Sequence, residues 1–389
     1  MLVSPESSQS IQNSSHTMEL YHEAYQYITN FLSQRSKQKP DFSKTGIIGN
    51  FISFTRAILC KIGMKVLVDG LWNTFVYRYY RSNSQNNTIR TIIGTVFYAL
   101  TEPQKLDMVY QMLADDESKA VLNWFLKYRF AYLAVGPVAA EVFPHLDYVR
   151  CPNRNVKRKM LSHTYRFQGY TIKCWNDWYF FEETWINEQY LLSGICEPKA
   201  GEFVIDAGGF QGETAIWLAD KVGQGGKVFS FEPLAVNYRR MQKNIRRNLL
   251  ENTIQAVNQG LWDEDTQLFI TDNSSASTCY RSCSGAGAVE HGCRKVQVTT
   301  LDSFIHNEGL QRVDFIKMDI EGAEYRALQG AAKTIMRWKP KLAVSVYHLP
   351  EDIFEIPVFI KSLVPEYKIY LSHKNKGWHE TVLFAVAEG

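Results

Sequence analysis

The chain has 389 residues, of which 45% are hydrophobic and 21% charged, an ordinary globular balance with enough apolar material for a large domain and a smaller one. Its 43 basic and 40 acidic residues leave a formal charge of +3, too even for a nucleic-acid coat protein or a polybasic membrane anchor. Seven cysteines, odd in number and without a CxxC pair, argue against a disulfide framework or a zinc ribbon and suit a reducing, cytoplasmic setting.

From the beginning of the chain, residues 1–19 are rich in Ser, Asn and Gln and bury too little to offset ordering, so a disordered tail is expected there. The start lacks a basic stretch followed by an apolar one, so it does not read as a secretory signal. The most apolar region, Gly46 to Tyr80, is interrupted by Arg56, Lys61, Lys65 and Asp69, whereas a spanning helix needs about 20 nearly uncharged residues. No transmembrane segment is expected. Residues 20–150 form a mainly helical region, with apolar positions three and four apart in Leu106, Val109, Tyr110, Leu113 and in Val121, Leu122, Trp124, Phe125, Tyr128. Ser82 to Asn87 reads as a loop within it. Residues 151–200 are a linker with lead-in strands: Arg154, Lys157, Arg158 and Lys159 read as solvated, and Tyr165 to Lys173 as extended.

From residue 201 to 389 strands alternate with helices. The pattern predicts strands at Phe203–Asp206, Lys227–Phe231, Ile254–Gln259, Asp314–Met318 and Leu342–Val346, with helices at Glu213–Lys221, Ala235–Asn248, Ala323–Met336 and Phe354–Val364. An inserted pair, Gln267–Ile270 and Val296–Thr300, interrupts the series. Strands Tyr367–Leu371 and Thr381–Ala387 close it, and the connection between them is too short for a crossover helix, so they pair antiparallel. Such alternation implies an α/β fold, a mostly parallel sheet covered by helices on both faces.

Phe203 to Thr214 is a buried strand that enters a turn, Ala207-Gly208-Gly209-Phe210-Gln211-Gly212, and then a helix. Glycines there let the backbone bend sharply and approach a ligand. Twenty residues past Gly212, the next strand ends in Phe231-Glu232-Pro233, which puts a carboxylate at the adjacent carboxyl edge, where it can accept hydrogen bonds from both hydroxyls of a ribose. A nucleoside cofactor follows. A dinucleotide fingerprint would want glycine at position 207 to admit a pyrophosphate, so Ala207 favours S-adenosylmethionine (SAM) over NAD, and Asp206 is placed to meet the positive amino-acid tail of SAM, directly or through water.

The run VIDAGGFQGETA, followed by FSFEP, GLWD, KMDIEGAE and VYHLPED, resembles the FkbM family of SAM-dependent methyltransferases over about residues 201–389. The resemblance implies a seven-stranded Rossmann-like methyltransferase sheet with an antiparallel last strand. It makes Asp206, Gly208 and Gly212 the SAM loop and Glu232 the ribose ligand, and sets Gly260 and Leu261 near the adenine. It also implies O-methylation of a sugar, glycolipid or secondary metabolite. The insert Thr271 to Cys293 departs from the pattern.

Ligands of open α/β sheets lie beyond the carboxyl ends of the strands, which directs attention to Asp319-Ile320-Glu321-Gly322-Ala323-Glu324 and to Tyr347-His348. Methyl transfer to a hydroxyl requires alignment and loss of a proton, so Asp319 and His348 are the candidate catalytic pair. Each also has an ordinary reading, Asp319 as a helix N-cap and His348 as a turn residue. Asp319, Glu321 and His348, with His373 or His379, have the composition of a divalent-metal site, but such groups often meet without one and no metal is expected. The spacing of Cys279, Cys283, His291 and Cys293 fits no standard zinc site. Trp175, Trp178, Tyr179, Trp185 and Trp262 suit stacking on a sugar ring, although large aromatics are commonly core. A small-molecule or glycan acceptor is expected and nucleic acid is not. The readings that compete are an NAD-dependent oxidoreductase, a non-catalytic binding module on this fold, and a methyltransferase acting on protein or RNA. The helical region can cap the site, recognise a large acceptor or mediate dimerisation.

Overall fold

The computed structural model describes residues 19–20, 23–24, 26–28, 30, 87–135, 139–143, 157–159, 164–167, 170–174, 178–271, 279–280, 293–375 and 379–387. The N-terminal tail, the apolar stretch 46–80 and most of the 82–87 loop fall outside these residues, as do Arg154, Trp175, Cys283 and His291. After the helical residues among 19–30, the described residues form α1 (Asn87–Thr101), α2 (Pro103–Met112) and α3 (Asp116–Val135), then the single turn α4 (Ala139–Val142). A small antiparallel sheet follows, β1 (Lys157–Lys159), β2 (Thr164–Phe167) and β3 (Tyr170–Lys173), so the basic residues 157–159 form an edge strand where the sequence suggested a linker. The turn α5 (Trp178–Phe181) continues as a wider π-helical turn, Glu182–Ile186.

The large sheet begins with β4 (Phe203–Ala207), α6 (Glu213–Val222), β5 (Lys227–Phe231), α7 (Ala235–Arg247) and β6 (Ile254–Val257). Next come β7 (Gly260–Leu261), β8 (Thr266–Thr271), β9 (Cys279–Tyr280) and β10 (Cys293–Thr299), which form a separate four-stranded sheet in the order β7-β10-β8-β9. The inserted pair is thus found, antiparallel, with Val296 opposite Leu268. Then follow α8 (Leu301–Glu308), β11 (Phe315–Met318), α9 (Glu324–Gln329), α10 (Ala332–Trp338), β12 (Lys341–Ser345), α11 (Asp352–Leu363), β13 (Tyr367–His373) and β14 (Thr381–Ala387).

The seven-stranded sheet has the order β13-β14-β12-β11-β4-β5-β6, and β14 alone runs against its neighbours. This is the mostly parallel α/β sheet with an antiparallel last strand that the sequence implied. Its central strands are buried along their length because helices cover both faces, as a parallel sheet requires. Order reverses between β4 and β11, so the first crossovers on the two sides leave a crevice at their carboxyl ends.

One predicted helix is broken. Ala323–Met336 divides into α9 and α10 at Gly330, where a β-carbon would stand 2.0 Å from the carbonyl oxygen of Trp262 and where the glycine carbonyl accepts from the Asp302 amide. Only glycine fits so close to the chain leaving β7.

The helical region shares the sheet's core. Leu106, Leu113, Leu122 and Phe125 belong to one apolar cluster with Tyr367, Ile369 and Leu371. The edge strand β13 is covered rather than open: Leu113 bridges Ile369, the Ala114 amide donates to the Ile369 carbonyl at 2.9 Å, and the Leu371 amide donates to Ser118 Oγ at 3.0 Å. Helix α1 reaches further, with Thr91 Oγ1 donating to the carbonyl of His348 at 3.0 Å. Tyr98 and Lys105 both bond Glu355 on α11. Among the described residues no helix is long and apolar enough to cross a membrane, and Cys174 and Cys196 are free buried thiols.

Candidate active site

Strand register builds the first half of the site. Lys317 of β11 lies directly opposite Asp206 of β4, which lies opposite Ser230 of β5, so three polar side chains form one row across the sheet. Each is fully buried. Asp206 sits 3.2 Å from Lys317 Nζ and accepts from Ser230 Oγ at 2.7 Å and from Thr214 Oγ1 at 3.0 Å. Lys317 also donates to the carbonyls of Ala207 and Gly208 at 3.1 and 2.8 Å. The row therefore clamps the glycine-rich turn from below. Asp206 was expected to meet the ligand tail; its carboxylate is instead enclosed, 0% exposed, and it acts through the turn it holds.

Gly208 has φ +83° and its missing side chain admits the carbonyl of Asp319, which lies 1.9 Å from where a β-carbon would stand. No other residue fits both constraints. The amides of Gly208 and Gly209 donate to the Phe231 carbonyl at 3.1 and 2.9 Å, so the turn is sewn to the end of β5. Gln211 is buried and its carbonyl accepts from Asn244 at 2.7 Å, while Gly212 opens α6.

Glu232 follows β5 at the level of Gly208. It is 6% exposed, and burial pushes its carboxyl up to about 7 against the lowering effect of the Leu234 amide, Asn237 and the Phe210 amide. The Leu234 amide holds one oxygen at 2.8 Å. Phe231 and Pro233 flank it. Gly260 packs on Pro233 and Val298, and Leu261 is buried beside it, which sets the expected adenine residues next to Glu232. The turn and the carboxylate are thus brought together; a wide polar cleft of about 580 Å³ on the four-stranded sheet, lined by Gln259, Asp265 and Gln297, contains none of these residues.

The second half lies beyond β11 and β12. Asp319 does not cap a helix, since α9 begins at Glu324; the turn is closed instead by the Glu324 carboxylate, which accepts from the Ile320 amide at 2.7 Å and the Gly322 amide at 2.9 Å. Asp319 Oδ1 lies 3.4 Å from His348 Nε2, and Oδ2 accepts from Tyr190 at 2.5 Å. The expected pair is therefore in contact. His348 Nδ1 lies 2.8 Å from Glu324 Oε1, and Nε2 lies 3.7 Å from Glu321 Oε2. Burial pulls the imidazole's pKa down, but Glu324, Glu321 and Asp319 outweigh it and raise the value well above 6.5. Burial works against the charge of Asp319 too, yet His348 and Lys317 hold its carboxyl below the usual range. Burial pushes Glu321 up to about 8.

The sequence did not single out the residues that enclose this pair. Glu183, Tyr190 and Glu380 surround Asp319, Tyr190 through a hydrogen bond and the two carboxyls through their charge: Gln189 bonds Glu380, Asn375 donates to Glu183 at 2.6 Å, and Tyr179 lies 2.8 Å from His379 Nε2. Burial, then mutual repulsion, raises Glu183 to about 9; burial and then Asp319 raise Glu380 to about 7. These residues arrive from two distant stretches of chain, 179–190 and 375–380, and no local spacing connects them to Asp319 and His348. Lys317 was visible in the KMDIEGAE run, where an isolated lysine within an apolar strand is the signal. Of the aromatics, Trp185 is core, Trp262 packs near Arg326, and Tyr179 is 41% exposed at the pocket, while Phe180 beside it touches Phe210 of the turn with ring centroids 5.2 Å apart.

Residues 206–368 match the family described as the Methyltransferase FkbM domain. Among curated proteins, "Elongation factor Ts, mitochondrial 2" of Paramecium tetraurelia is 25% identical over 184 residues, 46% of this chain and 59% of that one. "Methyltransferase sdnD" of Sordaria araneosa is 22% identical over 192 residues, 42% of this chain and 73% of that one. The match thus spans less than two thirds of the first relative's length. Among solved structures, the FkbM methyltransferase of Methylobacillus flagellatus KT superposes with a TM-score of 0.51 at 23% identity, covering 74% of this chain and 59% of that one, a likeness of fold.

Proposed function

We propose that the chain is a SAM-dependent methyltransferase that methylates a hydroxyl of a small molecule or glycan: a sugar, glycolipid or secondary metabolite. The observation that carries this reading is the buried Lys317–Asp206–Ser230 row beneath a glycine turn, with the Glu232 carboxylate beside it at the next strand end. A buried charged row is costly unless it maintains something, and here it maintains a turn whose backbone faces the crevice. The FkbM match over the same residues supports the reaction class.

SAM supplies a methyl group on a positively charged sulfur, already activated for displacement, so the chain's task is to bind, align and remove a proton. Glu232 would hold the ribose hydroxyls, and the turn Ala207–Gly212 the amino-acid tail. Gly260 and Leu261 would bound the adenine. Asp319 stands across Gly208 from this pocket, partly exposed, with one oxygen fixed by Tyr190 and the other facing His348. It is placed to accept the acceptor's hydroxyl proton, with His348 holding it in position. Tyr179 offers an exposed ring for an acceptor to stack against.

The test is incubation of the protein with methyl-labelled SAM and fractionated glycan and metabolite extracts. Label should appear in alkali-stable methyl ethers, and Asp319→Asn should reduce it by about 100-fold. Label recovered in protein or RNA instead would overturn the assignment of acceptor.

A further inference from the structure

Asp319 and His348 follow neighbouring parallel strands, β11 and β12, whose register sets Met318 opposite Val344, so their side chains converge at one point of the sheet edge. The imidazole side chain is 8% exposed, and neither Nε2 nor Nδ1 makes a hydrogen bond of good geometry. Two carboxylate oxygens face Nε2, Asp319 Oδ1 at 3.4 Å and Glu321 Oε2 at 3.7 Å. Both lie beyond the about 2.7–3.2 Å of a good N–H···O bond. They are close to the separation of two ligands on one cation: with metal–ligand bonds near 2.1–2.2 Å, neighbouring ligand atoms stand about 3.0–3.6 Å apart.

The surroundings have the form that metal-binding histidines require. Glu324 is fully buried and its carboxylate lies 2.8 Å from Nδ1, close enough to orient the ring and to keep the proton on Nδ1 when a cation displaces the one on Nε2. Tyr190 fixes the other oxygen of Asp319. Asp319, His348 and the Glu324 behind it present donor atoms all within 4.8 Å of one another, and Glu321 reaches this group through its 3.7 Å approach to Nε2. Glu321 is held at φ +58°, an unfavourable conformation for a residue with a β-carbon, and its side chain is 38% exposed, which leaves a path from solvent.

We propose that Asp319, Glu321 and His348 Nε2 bind a divalent cation, with Glu324 as the positioning residue behind the imidazole. Two carboxylates and one imidazole suit a hard or borderline ion such as Mn²⁺, Mg²⁺ or Zn²⁺. This replaces the expectation of no metal. It rests on the methyltransferase reading only for its purpose: an ion there would bind and orient the acceptor hydroxyl beside the methyl donor, in place of the direct contact with Asp319.

The experiment is titration of the metal-free full chain with MnCl₂ followed by electron paramagnetic resonance, with SAM calorimetry on the same preparations. A single equivalent of Mn²⁺ should bind, and Glu321→Gln and His348→Gln should each weaken it by at least about tenfold, with Glu324→Gln weakening it by about 10–100-fold. Glu321→Gln, at an accessible side chain, guards against misfolding. No Mn²⁺ binding at millimolar concentration, or binding unchanged in all three variants, would overturn the site. SAM binding without Mn²⁺ binding removes the cation and leaves the methyltransferase reading; Mn²⁺ binding without SAM binding does the reverse.

Discussion

The turn that faces the crevice depends on one buried ion pair. Lys317 and Asp206 are 1% and 0% exposed, and each loses its solvation for the other, so removal of one partner leaves an uncompensated charge. Lys317→Met should lower unfolding free energy by about 3–5 kcal/mol in urea denaturation, and Asp206→Asn/Lys317→Met should recover much of that loss. Equal destabilisation of single and double variants would mean that the pair does not carry the turn. Glu232 provides a second residue-scale expectation. Its carboxyl is raised from 4.5 to about 7, so the folded protein holds a proton that the unfolded chain releases, and stability from this group is lost as pH rises from 4.5 through about 7. Ribose hydroxyls donate to the ionised form, so SAM affinity should run the other way and rise about tenfold between pH 6 and 8. Calorimetry across that range checks it, and Glu232→Gln should flatten the profile.

Among the elements, α1 bears on the site most directly. Gly94 packs so closely on the loop after β12 that a β-carbon would stand 2.4 Å from Pro350 Cγ, two residues from His348. Alanine in a helix gains about 1 kcal/mol over glycine, but overpacking against a ring costs about 1–3 kcal/mol, so the collision wins. Gly94→Ala should therefore reduce stability in urea and lower methyl transfer, and leave SAM affinity within about twofold. The elements themselves were legible where periodicity was strong: β5 and β14 begin and end where the apolar pattern does, and the antiparallel closing pair followed from a short connection. The break of one helix at Gly330 was not legible, because the carbonyl that demands glycine there belongs to Trp262, some seventy residues away. For the same reason the glycine turn and Glu232 were readable as a local motif, whereas Tyr190, Glu183 and Glu380 were not: they meet Asp319 only through the fold. Asp206 was readable as important but not in its role, since burial and a lysine opposite it decide that.

At the scale of the whole molecule, helices α1 to α3 complete the core of the sheet rather than sit beside it. Phe125, Leu122 and Leu113 pack with Ile369 and Leu371, and α3 covers the edge of β13. A chain lacking residues 1–149 should therefore lose cooperative thermal unfolding or aggregate, because it would expose an apolar edge strand. A well-folded truncated chain that still bound SAM would show instead that residues 201–389 are independent. The same region backs the loop after β12, where Thr91 bonds the His348 carbonyl and Gly94 packs on Pro350.

The central claim is that the Gly208 turn and Glu232 hold SAM. The most direct measurement is titration calorimetry of the full chain with SAM and, separately, with NAD, repeated on Glu232→Ala and Asp206→Ala. Binding of SAM alone, weakened at least about tenfold by each substitution, is the expected result, one through a lost ligand and the other through a collapsed turn. A folded wild-type protein that binds no SAM, or that binds NAD in its place, would contradict the account.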